Sequence, residues 1–117
     1  MGETLTEYFT STDLLLSKQE ILKDYALACE SRAVSLLGRK DVFMGRAKFG
    51  IFGDGKELPQ LALSKVFRKG DFRSGYYRDQ TLVAATEGLT WQQFFAQLYA
   101  HADIEHDIFT GGRSMNA

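Results

Sequence analysis

Apolar residues return every four positions along Ile21, Tyr25, Cys29, Ala33 and Leu37, which is helical recurrence. The polar run "SKQE" at 17–20 stands just before them. It has the form of a capping box, with Ser17 as the cap and Glu20 reaching back. Gly38 follows the last apolar position, where a helix can end. The pattern predicts a helix of about five turns, with Cys29 on its buried stripe as a structural thiol.

Beyond it the pattern loosens into a glycine-rich, aromatic stretch, in which "AKFGIF" at 47–52 is the one strand-like run. A second helix is expected near Lys56, because Pro59 is tolerated in a first turn. Leu58, Leu61, Ala62 and Val66 would form its buried face, and Gly70 would close it. "FRSGYYRD" at 72–79 reads as extended chain. In that conformation Tyr76 and Arg78 point one way and Tyr77 and Asp79 the other, so polar groups are met on at least one side. A short apolar piece, "TLVAA", comes next. Thr90 and Gln93 then form a second capping box. It opens a last helix with Trp91, Phe94, Phe95, Leu98, Tyr99 and Ala102 on its apolar face. The aromatic faces are large for a chain of 117 residues and ask for a partner surface.

Composition narrows the classes. With 44% apolar and 25% charged residues the chain is an ordinary globular one. A net charge of −1 argues against a dedicated nucleic-acid binder, whose affinity rests on positive excess. The single cysteine allows no intramolecular disulfide and fits a reducing compartment. The acidic, polar start "MGETLTEYFTSTD" is no secretory signal, and no apolar run reaches membrane-spanning length. A soluble, cytoplasmic protein without a membrane partner is expected.

Three motifs suggest chemistry and then fail on detail. Gly50, Gly55 and Lys56 fit G-x-x-x-x-G-K, but the next residue is Glu57 where a phosphate loop needs Ser or Thr. "GDG" at 53–55 resembles the start of a magnesium-binding motif of thiamine-diphosphate enzymes. Its Asn partner is missing, for the one Asn is Asn116, and a turn leading into a helix is the better reading. In "HADIEHD" His101 and Glu105 share a helical face, but His101 and His106 lack the spacing of a zinc helix. A solvated helix end is expected there.

Taken in order, the motifs resemble a family. From Ser17 to Ala117 the chain is similar to the N-terminal part of the alpha subunit of thiamine-diphosphate-dependent 2-oxo acid dehydrogenases, of the pyruvate and branched-chain type. A helix ends near "SRAVSLLGRKDV", and "GRAKFGIFGDGKE" follows, where Gly55, Lys56 and Glu57 match a Gly-Gln-Glu or Gly-Glu-Glu triplet. After a helix come Asp71 and the Tyr-Arg pair of "GYYRDQT", then the aromatic helix "QQFFAQLYA" and the tail "GGRSMN". The "GRSM" ending is closer to the branched-chain subgroup, whose tail is Gly-Arg-Gln-Met.

The resemblance implies an α/β thiamine-diphosphate-binding fold, of which this portion is mostly helical with one short strand. Residues 1–16 would be an N-terminal extension. Residues 17–117 would be the N-terminal portion of the cofactor-binding domain, ending before its GDG…Asn motif. Tyr77 and Arg78 would hold the cofactor's diphosphate with Tyr76 beside them, and Arg113 would belong to a loop at the active-site entrance. The implied activity is oxidative decarboxylation of a 2-oxo acid with acyl transfer to a lipoyl carrier protein. Its cofactors would be thiamine diphosphate and magnesium, and its partner a beta half, fused or separate. No catalytic residue and no magnesium ligand falls within these 117 residues, so the chain alone is expected to be inactive. The alternative is a non-catalytic binding or interaction module that keeps part of the fold.

Overall fold

The computed structural model describes residues 16–107 together with 111 and 112. The extension at 1–16, Leu16 apart, lies outside the described residues, as do Arg113 and the "RSMNA" end. Among the described residues four helices follow one another: α1 (Lys18–Phe43), α2 (Glu57–Ser64), α3 (Gln80–Glu87) and α4 (Trp91–Leu98).

Both capping boxes form. The Ser17 N–H donates to Glu20 Oε2 at 2.8 Å, and Glu20 N–H donates to Ser17 Oγ at 3.2 Å. At α4, Thr90 and Gln93 exchange the same pair at 2.9 and 3.2 Å. These are local contacts of residues three apart, satisfying amides that the first helical turn leaves free.

α1 differs from expectation in length and in face. Gly38 does not end it. A Cβ on Gly38 would stand 2.5 Å from Phe52 Cε1, so this glycine admits the Phe52 ring to the helix surface while the helix continues to Phe43. The buried positions are Ser31, Val34, Ser35, Gly38 and Asp41. Ile21, Tyr25 and Leu37 are exposed, and so is Cys29, which is not a buried structural thiol. Helix geometry explains the miss. Residues four apart are offset by about 40° around the axis, so a strict four-residue run winds off any one face. The set at 31, 34, 35 and 38 mixes steps of three and four and stays in place.

In α2 only Leu61 of the four predicted face residues is buried; Leu58 and Val66 are more than two-thirds exposed, and Ala62 is exposed. The helix stops at Ser64, ahead of Val66, and Gly70 takes a positive φ of 96° in the following turn. α3 replaces the short apolar piece of the sequence reading. It buries Gln80, Thr81, Leu82 and Val83 and ends at Gly88, whose φ of 72° is the left-handed cap.

Val34, Phe52, Val83, Leu89 and Phe94 form the core, and Val42, Ala84, Trp91, Phe95 and Leu98 pack against it. The Phe52 and Phe94 rings lie 6.4 Å apart in a tilted pair. Beside this core is a buried polar seam. Ser31 Oγ and Thr81 Oγ1 are 2.7 Å apart, and Gln80 Nε2 donates to Ser31 O, Ser31 Oγ and Ser35 Oγ. Short side chains on α1 let α3 approach, and the hydrogen bonds offset the burial of their hydroxyls.

Among the described residues there is no strand. The run 47–52 passes through the core edge with Ala47 and Phe52 buried and Phe49 exposed. A ladder there would need a neighbouring strand beyond the described residues. No helix among the described residues is long and apolar enough to cross a membrane.

Candidate functional site

Tyr77, Arg78 and Asp79 form a turn that leads directly into α3. Asp79 shapes it: its Oδ2 accepts from Tyr76 N–H at 3.0 Å, and its own N–H donates to Tyr76 O at 3.0 Å. The expected alternation of side chains is therefore absent, because turn residues do not follow a pleat. Tyr76 and Tyr77 come together instead. Their ring centroids are 4.1 Å apart, and Tyr76 Oη donates to Tyr77 Oη at 2.7 Å. That shared proton raises the Tyr76 phenol above its ordinary value, chiefly through the Tyr77 hydrogen bond.

Two residues of the preceding segment hold the turn in place. Gln60 Nε2 donates to Arg78 O at 2.8 Å while Gln60 Oε1 accepts from Leu82 N–H at 3.0 Å. Gly53 lies so close that a Cβ would stand 2.6 Å from Arg78 O. The first glycine of "GDG" thus serves close backbone approach, and Asp54 and Gly55 make the expected turn into a helix.

The side chains above this anchor carry the chemistry. The Arg78 guanidinium lies 5.7 Å from the Tyr77 ring centroid, in cation–π range. Its Nε is buried and has no hydrogen-bond partner. Arg78 and Arg39 border one groove of about 330 Å³ with an apolar floor that includes Val42, Ile51 and Phe52. Tyr77 lines a smaller adjoining cavity of about 40 Å³ against Phe52, Phe94 and Leu98.

Carboxylates nearby are already engaged. Asp54 Oδ1 accepts from Arg39 Nη2 at 2.6 Å, and that hydrogen bond holds its carboxyl below the usual range. Glu57 is buried and takes Arg32 with both oxygens, at 2.7 and 3.0 Å, and also accepts from Gly55 N–H. Its pKa is lowered, first by the Arg32 bond. Among the described residues no three His, Cys, Asp or Glu side chains group to hold a metal. The 101–107 segment is not helical: α4 ends at Leu98, and Ala100 has a positive φ of 54°. His101 and His106 stack at 4.8 Å on the exposed surface, with Asp103 Oδ2 3.2 Å from His106 Nδ1.

Sequence reasoning singled out Tyr76, Tyr77 and Arg78, and the structure brings these three together. It missed Gln60, which reaches the turn across 18 positions, and Arg39, which borders the same groove as Arg78 across 39. The chain matches no family model, no curated protein and no solved structure.

Proposed function

We propose that the chain is the N-terminal part of the alpha subunit of a thiamine-diphosphate-dependent 2-oxo acid dehydrogenase, in which Tyr77 and Arg78 hold the cofactor's diphosphate and Tyr76 touches the cofactor beside them. The observation that carries this reading is Arg78. Its guanidinium is paired with no carboxylate among the described residues, its Nε is buried and unpartnered, and it borders an open groove beside two phenols. A buried donor without a partner is costly, and that cost falls if a bound anion draws the side chain toward the groove.

The residues fit the group. A guanidinium offers a planar fork of donors to phosphate oxygens, and a phenol adds one directional donor. Gly53 and Gln60 fix the backbone beneath Arg78 before any ligand arrives. A charge-assisted bond of this type contributes about 1.5–3 kcal/mol, or roughly one to two orders of magnitude in affinity. Thiamine diphosphate supplies the electron sink for decarboxylation when bound. This chain's part is to bind and orient the diphosphate end. Magnesium, the beta half and the lipoyl carrier protein belong to the same reading, and no described residue supplies a magnesium site.

A second reading, a non-catalytic interaction module, is favoured by the apolar side chains that α1 and α2 leave exposed, Tyr25, Leu36, Leu37 and Leu58 among them. The side-chain Nε–Hε resonance of Arg78 separates the two. Under the cofactor reading, thiamine diphosphate with magnesium shifts it and thiamine does not. No shift at millimolar thiamine diphosphate refutes the cofactor reading and leaves the module.

A further inference from the structure

Arg39 and Arg78 border the same apolar-floored groove, yet their engagements differ. Arg78 has an unpartnered buried Nε. Arg39 projects from α1 with its side chain about half exposed, and its one ion pair among the described residues is Nη2 to Asp54 Oδ1 at 2.6 Å. A guanidinium has five N–H donors, and the Asp54 bond occupies the Nη2 group of this one.

We propose that Arg39 is a second anion-binding residue of this groove and that Asp54 competes with the ligand for it. The ligand class is a diphosphate, free or esterified, so the inference rests on the diphosphate reading of Arg78. A diphosphate carries more negative charge than one guanidinium neutralises, and two forks on one groove match its two phosphoryl groups. Asp54 sits in the turn between Gly53 and Gly55, so the backbone that receives Arg78 also places the competing carboxylate. Binding is then an exchange in which Arg39 trades a carboxylate partner for a phosphate.

Calorimetric titration of the chain with inorganic pyrophosphate and with thiamine diphosphate tests the exchange, using the wild type, Arg39→Gln, Asp54→Asn and Arg78→Gln. Arg39→Gln is expected to weaken both ligands by about tenfold, the scale of one charge-assisted bond. Asp54→Asn is expected to strengthen both by about threefold, because the competitor has lost its charge. A residue that merely braces the turn would not give that gain. Tighter binding of thiamine diphosphate than of pyrophosphate marks the esterified source; equal binding marks free diphosphate. An unchanged affinity in either Arg39→Gln or Asp54→Asn overturns the exchange. If Arg78→Gln alone loses binding, the diphosphate reading stands without Arg39. If the wild type binds neither ligand, both fall. Should Asp54→Asn unfold, Asp54→Ser removes the same charge from a turn position and is read in its place.

Discussion

Gly38 and Phe52 are in contact at a distance that only a glycine permits, since a Cβ at 38 would lie 2.5 Å from Cε1 and 3.0 Å from Cζ of the ring. The Phe52 ring in turn meets Phe94 and leads the chain to Gly53, which receives Arg78. Gly38→Ala therefore sets two effects against each other. Alanine gains about 1 kcal/mol of helix propensity at a mid-helix site. Overpacking a core costs about 1–3 kcal/mol, and here the obstructing atoms belong to a ring wedged between helices. The expected net result is destabilisation by about 1 kcal/mol, seen as a lower urea midpoint. A gain in midpoint would mean that the ring moves freely and that Gly38 does not position the segment.

The contrast between Gly38 and Ser17 shows what the sequence makes legible. A capping box is written within four residues, so Ser17–Glu20 and Thr90–Gln93 can be read directly and occur as read. Burial is written in the whole fold. The apolar run of α1 winds around the helix, which instead buries the face with Ser31, Ser35 and Gly38, whose small size admits α3 and Phe52. α3 is not legible in the sequence because "TLVAA" carries β-branched residues that suit extended chain equally well. Its clearest sign is Gly88, which ends it in the left-handed region. At the candidate site the tyrosines and Arg78 stood in one short run and could be found. Arg39 could not, because its place beside Arg78 depends on a groove assembled from three segments.

Glu57 makes the fold sensitive to acid. Its carboxylate takes two bonds from Arg32 and accepts from Gly55 N–H, and its pKa lies below the usual 4.5. The folded form therefore holds its proton less tightly than the unfolded chain. That contribution is complete above the unfolded pKa and is lost as the pH falls through the depressed folded value. Glu57→Gln should cost about 1–2 kcal/mol at neutral pH, Arg32 being half exposed, and should flatten the decline of stability below pH 4.5. Denaturant midpoints from pH 7 to 3 measure both; an equally steep decline in the variant removes Glu57 as the cause.

Ser31 and Thr81 are both fully buried and exchange a hydroxyl hydrogen bond at 2.7 Å between α1 and α3. Ser31→Ala deletes the partner of Thr81 and one acceptor of Gln80 and is expected to cost about 1–3 kcal/mol, the cost of leaving a buried polar group unpaired. Thr81→Val keeps the shape and removes the other hydroxyl. In the double variant the two losses should fall short of additive by about 0.5–1 kcal/mol, because the second change removes a group already orphaned. Strict additivity would mean that the two hydroxyls do not depend on each other.

Tyr77 offers a way to separate the ring from the hydroxyl at the candidate site. Its ring lies under the Arg78 guanidinium and fills space beside Phe52 and Phe94, whereas its oxygen accepts from Tyr76 and is the group that would face a phosphate. Tyr77→Phe keeps the first set of contacts and removes the second, so the urea midpoint should move little. Thiamine diphosphate affinity should fall by about tenfold or more, because a phenol donating to an ionised phosphate makes a charge-assisted bond of about 1.5–3 kcal/mol. Tyr77→Ala should lower both, because Arg78 then loses the surface that orients it. If Tyr77→Phe binds as tightly as the wild type while Tyr77→Ala does not, the tyrosine acts by holding Arg78 in place, and the diphosphate contact belongs to Arg78 alone.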